Sequence, residues 1–268
     1  MPPLVYGADP DQIADLVLPP ESGTPAPLVL FWHGGFWRAE YDRHHARPFV
    51  EALAACGCAV ANVEYRRVGA GGGWPTTFED VALAADTLPG LAAAAHPGRI
   101  DPERTVYVGH SAGGHLALWA ALRDRVPSGA PGAASRLPGL VGVVGLAPVV
   151  DLAGTYAAYA HARRPGGAVG DLLGGGPDEY PDRYAAADPS ALGAPSVPLV
   201  IAHGDEDTAV PIAGSQAYTT EHGGKLLAFD GIGHHALIDA NSPVWPHIRD
   251  TITELGGAAP DSAAARRR

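Results

Sequence analysis

Six short runs of β-type residues constrain this chain more than anything else in it: residues 28–32, 58–63, 104–108, 140–146, 198–202 and 225–229. A strand with one wet face alternates apolar and polar residues. These runs are close to continuously apolar, so both faces of each strand expect cover. Helical stretches such as 78–95, 115–123 and 244–255 separate them. Strands alternating with helices predict an α/β class, with a mostly parallel sheet and helices on both faces. A chain of 268 residues can close this as one domain, here residues 1–255. No repeat with a period of 20 to 50 residues is found.

The third run leads into Gly109-His110-Ser111-Ala112-Gly113-Gly114. A serine hydroxyl is a poor nucleophile unless a sharp strand-to-helix turn presents it, and small residues two before and two after permit such a turn. The following HLALWAAL reads as helix, so Ser111 would sit at a helix N-terminus, where free N–H groups favour negative charge. Run 28–32 ends in His33-Gly34-Gly35-Phe36-Trp37. Two glycines there let the backbone turn its amides toward a bound oxygen, the alternative being a plain glycine turn. Run 198–202 is closed by His203-Gly204-Asp205-Glu206-Asp207, and a carboxylate there can reach an imidazole across the top of the sheet. Asp207 and Asp205 both qualify, as does a plain turn residue or helix cap. Run 225–229 is followed by Gly231-Ile232-Gly233-His234-His235, a glycine-rich loop on which a histidine can swing toward a nucleophile and act as general base.

In the order Ser111, Asp207, His234, these motifs resemble the α/β-hydrolase superfamily. HGGFW, GHSAG and the H-G-x-x-D and G-x-x-H pair are similar to the arylformamidase and acetyl-esterase/lipase-like groups. The resemblance implies Ser111 as nucleophile, His234 as base and Asp207, rather than Asp205, as its orienting acid. The amides of Gly35, Phe36 and Ala112 would form the oxyanion hole. It further implies hydrolysis of short-acyl esters or aryl formamides through an acyl-enzyme, without metal or cofactor, and a partial cap formed by residues 151–192. Phe36 stands where lipases of the hormone-sensitive type carry a third glycine. Trp37 and Trp74 are either core aromatics or an aromatic wall for a flat substrate. Two other readings stand beside this one: a small serine peptidase or aminopeptidase-like hydrolase, and a non-catalytic scaffold that binds a ligand. A peptidase of the prolyl-oligopeptidase type would need an N-terminal propeller for which the chain has no room.

A net charge of −11, with no basic run except Arg266-Arg267-Arg268, argues against nucleic acid as a partner and for a small molecule. Those arginines end a Gly/Ala/Ser-rich tail, residues 256–268, expected to be disordered. The 12 histidines include no H-E-x-x-H, and adjacent His44 and His45 would point about 100° apart on a helix, so no metal site is expected. Cys56 and Cys58 are too close along a strand to pair and are expected as reduced core residues. Gly174-Gly175-Gly176 lacks a following Gly-Lys-Ser/Thr and reads as a turn. The most apolar run, 140–150, is too short to cross a bilayer, and no targeting segment precedes Asp9 and Asp11. A soluble cytoplasmic protein is expected.

Overall fold

In this computed structural model, residues 2–159 and 166–258 are described. Eight strands form one sheet: β1 (Leu4–Val5), β2 (Ile13–Val17), β3 (Ala26–Trp32), β4 (Ala59–Val63), β5 (Ile100–His110), β6 (Leu140–Leu146), β7 (Leu199–Gly204) and β8 (Lys225–Phe229). Their spatial order is β1-β2-β4-β3-β5-β6-β7-β8. From β4 to β8 all neighbours are parallel, while β2 runs antiparallel to β1 and β4. The six expected strands are present. β1 and β2 were not foreseen, because β1 has two residues and the five of β2 are only alternately buried.

Every residue of β3, β4 and β7 is buried, and the reason is visible in β3. Leu28, Leu30 and Trp32 enter one apolar core; Val29 and Phe31 enter the other. The first core is covered by α2 (Thr76–Ala95), α3 (Ala112–Ala121) and, further along the sheet, α8 (Ile212–His222). The second is covered by α1 (Arg47–Ala54) and α9 (Trp245–Gly256). In α2 the buried Phe78, Val81, Ala85, Leu88 and Ala92 recur every three or four residues, the spacing that keeps one helical face on the sheet. Residues 151–192 carry four short helices among the described residues: α4 (Leu152–Tyr159), α5 (Gly167–Leu173), α6 (Pro181–Ala187) and α7 (Pro189–Leu192). Of the tail expected to be disordered, Gly256 instead closes α9 and residues 259–268 lie outside the described residues.

At the junction of β5 and α3 two expected boundaries move. β5 continues to His110, and α3 begins at Ala112 rather than His115. Gly113 and Gly114 are poor helix formers, yet contacts across the fold require them. A Cβ at Gly113 would collide with the Trp32 and His33 carbonyl oxygens, and one at Gly109 with the Gly113 carbonyl. The glycines of G-x-S-x-G are therefore where strand β5, the first turn of α3 and the end of β3 touch backbone to backbone. Gly113→Ala should destabilise the protein by about 1–3 kcal/mol, the usual range for overpacking. Gly90→Ala, in an α2 position with open space around it, should raise stability slightly. Paired thermal denaturation of the two variants checks both signs.

Candidate active site

Ser111 is the single residue between β5 and α3, at φ 56° and ψ −120°. A non-glycine side chain avoids this region at a cost of about 1–3 kcal/mol, so the surroundings must impose it. The Ser111 N–H donates to the Leu146 carbonyl at 2.8 Å, and the Ser111 carbonyl accepts from the His115 N–H at 3.0 Å. Both peptide groups are tied down. The hydroxyl has no hydrogen-bond partner among the described residues and faces a cavity.

The HGGFW loop rests on this turn. A Cβ at Gly34 would stand 3.0 Å from the His110 carbonyl oxygen and 3.1 Å from Ser111 Cβ, so a side chain here would press on the Ser111 turn. Gly35, Phe36 and Trp37 then follow at φ 112°, 57° and 56°. Trp37 Nε1–H donates to the Ala112 carbonyl at 3.1 Å and ties the loop to α3. Among the described residues, no hydrogen bond takes the backbone N–H of Gly35, Phe36 or Ala112. Under the loop, the buried His33 ring lies between the Gly34 carbonyl, 2.7 Å from Nδ1, and Glu64 Oε1, 2.8 Å from Nε2. Both partners are oxygen atoms, and the ring bridges them. Burial would raise the Glu64 carboxyl, but His33, Arg67 and the Arg43 N–H hold it below its ordinary value. His33 thus pins the Gly34 carbonyl.

Asp207 lies in the loop after β7 with its side chain fully buried. Its Oδ2 is 2.6 Å from His234 Nδ1, and its Oδ1 accepts from the Ala209 and Val210 N–H groups at 2.9 and 2.8 Å. Burial would raise this carboxyl. Hydrogen bonds from His203, His234 and the Val210 N–H outweigh it and hold the group well below the usual carboxylate range. His203, on β7 itself, places Nε2 2.8 Å from the Val210 carbonyl and 3.4 Å from Asp207 Oδ2, while its Nδ1 meets the Ser215 hydroxyl at 2.8 Å. The rival Asp205 instead accepts from the Gly231 N–H at 2.7 Å. His234 opens a 3-10 turn, His234–Ile238, and its ring centre lies 4.5 Å from that of His110, the residue before Ser111. The structure therefore gathers Ser111, Asp207, His234, Gly35, Phe36, Trp37 and Ala112 at one end of the sheet.

Beside Ser111 opens a cavity of about 290 Å³ whose lining is largely apolar. Phe36 and Trp37 form one side; Thr155, Ala158 and Tyr159 of α4, Val169 of α5, and Val210 form the others. Trp37 borders the cavity yet is only 2% exposed, so it is a core tether as well as a wall. Trp74 does not line the cavity. Its ring packs on Phe78 at 5.1 Å, against the core, and its backbone N–H donates to the Leu172 carbonyl of α5. Two residues with no motif of their own brace these walls. Buried Asp188 accepts from the Leu152, Ala153 and Ser190 N–H groups and so caps both α4 and α7; burial pushes its carboxyl up to about 6 against those bonds. Arg38 meets Asp171 of α5 at 2.6 Å across the rim. Among the described residues, no group of three or more His, Cys, Asp or Glu could hold a metal ion, and no helix is long and apolar enough to cross a membrane.

Comparison with solved structures bears out the α/β-hydrolase fold. A truncated carbohydrate esterase from gut microbiota superposes with a TM-score of 0.77 at 23% identity, covering 95% of each chain. An esterase of Thermogutta terrifontis, Est2, gives 0.71 at 22% identity, covering 97% of this chain and 94% of its own. Among curated proteins, a probable isoprenylcysteine alpha-carbonyl methylesterase of Oryza sativa subsp. japonica, ICMEL1, is 28% identical over 87% of this chain. Esterase LipQ of Mycobacterium tuberculosis is 27% identical over 80%. The chain spans about half the length of these two relatives, 56% and 51%. The BD-FAE family model matches residues 14–221, a span that runs from β2 through α8 and holds the HGGFW loop, Ser111 and Asp207, and the chain belongs to the BD-FAE family.

Proposed function

We propose that this chain is a serine carboxylic ester hydrolase that acts on compact substrates, short-acyl esters above all, through an acyl-enzyme. The observation that carries the reading is the buried 2.6 Å contact between His234 Nδ1 and Asp207, beside a serine held at positive φ in the cavity floor. A carboxylate on Nδ1 fixes the tautomer that leaves Nε2 able to accept a proton. His234 takes the proton of Ser111 as Oγ attacks the ester carbonyl carbon. The oxyanion is met by the amides of Ala112 and of Gly35 and Phe36, which carry no other hydrogen bond. His234 then returns the proton to the leaving alcohol, and water repeats the cycle on the acyl-Ser111 ester. Relatives named as esterases support the reaction class.

The cavity supports the substrate class. Its 290 Å³ suit a small apolar group rather than a long chain, and the α4 and α5 wall, which we read as a partial cap, limits its depth. Phe36 and Tyr159, each 42% exposed, put aromatic faces at the mouth for a flat leaving group.

Ser111→Ala should lower kcat on p-nitrophenyl acetate by about 10⁴ to 10⁶ with the fold intact, as loss of a nucleophile does elsewhere. Near-wild-type turnover would refute the assignment. Across p-nitrophenyl esters from acetate to laurate, kcat/KM should peak at short acyl chains. A peak at eight carbons or more overturns the compact-substrate reading. N-formylkynurenine in the same panel tests the arylformamidase-like resemblance, and turnover of acetate without turnover of the formamide leaves a carboxylesterase alone.

Asp207 also sets a pH dependence of stability. Its folded form favours the carboxylate, so the group adds stability that is complete above the unfolded value of about 3.9 and is lost as pH falls below it. Wild type should therefore denature at higher temperature than Asp207→Asn at neutral pH, with the gap narrowing progressively as pH falls below about 4. A constant gap would contradict the ionised, paired state.

A further inference from the structure

His110 separates Ser111 from Gly109 in sequence and touches both loops that face Ser111 in space. The ring is fully enclosed at the end of β5. Its Nε2 lies 3.1 Å from the His234 carbonyl oxygen, which can only accept, so Nε2 carries the proton. Its Nδ1 is buried without a hydrogen-bond partner, and a Cβ at Gly34 would stand 3.1 Å from it. The ring is neutral. Burial and the neighbouring His234 hold it well below its ordinary value. Nothing in the acyl-enzyme cycle uses this side chain, yet a buried polar atom without a partner is a cost that an apolar residue of similar size would avoid.

We propose that His110 is a positioning residue for ester hydrolysis: its Nε2–H clamps the backbone of His234 to the strand that presents Ser111, while its other edge seats the HGGFW loop at Gly34. The two rings lie against each other, centres 4.5 Å apart and planes tilted by 46°, so a shift of the clamp displaces the base itself. A misplacement of about 1 Å between reacting groups can cost about 10²-fold in rate. The proposal rests on the reading of Ser111 as nucleophile and His234 as base.

The position of the donor, not its polarity, decides the test. In His110→Gln the amide nitrogen falls where Nε2 was; in His110→Asn it stops one atom short; His110→Leu has no donor. With p-nitrophenyl acetate, kcat of H110Q should stay within about tenfold of wild type, and H110N and H110L should fall about tenfold further, with KM changed little in all three. A purely structural role would instead scale the losses with thermal stability, so denaturation midpoints are measured alongside. Should H110L fail to fold, H110Q against H110N still decides. Equal impairment of H110Q and H110N, or wild-type kcat in H110N, overturns the clamp. S111A is run in parallel: if it is inactive while H110N keeps wild-type kcat, the clamp fails and the hydrolase stands, whereas an active S111A removes the nucleophile on which both depend.

Discussion

The site depends on a backbone approach that admits no side chain. At Gly113 the first turn of α3 lies against the Trp32 and His33 carbonyls, and at Gly109 the strand lies against Gly113. With those contacts closed, Ser111 has no relaxed conformation to adopt and is held at φ 56°. The strain is borne by rigid neighbours, a wholly buried strand end and a helix buried along its whole length. That is how a strained residue persists in a folded chain. The HGGFW loop also lies close against the turn, where a Cβ at Gly34 would stand 3.0 Å from the His110 carbonyl oxygen.

Charge at the site is arranged in two buried pairs that hold backbone as well as side chains. Asp207 receives one imidazole, stands near a second and accepts two N–H groups, so its orientation is set from four directions. Glu64 and His33 do the corresponding work under the amides of the HGGFW loop, with the ring reaching the Gly34 carbonyl. A buried charge with a full set of partners is rigid, since any movement leaves it desolvated and unpaired. Asp188 extends the principle to the cavity wall, where one carboxylate caps α4 and α7 together.

What was legible in the sequence is what a local backbone requirement writes there. Glycines flanking Ser111, glycines after His33 and the glycine-rich turn before His234 each mark a place where the chain must bend tightly, and the apolar runs mark strands that feed two cores. Asp207 could be preferred to Asp205 only through the resemblance, because both sit in the same acidic loop; the hydrogen bonds separate them. Residues that act through partners far along the chain left no signal. Glu64 meets His33 across 31 positions and His110 meets His234 across 124. Trp74 stayed open between core and wall for a related reason: the sequence does not say which way the ring turns, and here it packs on Phe78. The antiparallel pair β1 and β2 is short, with no buried residue in β1 and only two in β2, and does not announce itself.

Convergence of the Ser111 turn and the HGGFW loop on one reacting oxygen is the central claim, and a crystal structure of the protein after reaction with a fluorophosphonate tests it most directly. The account predicts phosphorus bonded to Ser111 Oγ, with the phosphoryl oxygen about 2.7–3.1 Å from the Ala112 amide and from the amide of Gly35 or Phe36. Phosphonylation of another residue, or a Ser111 adduct whose phosphoryl oxygen points away from those amides, would contradict it.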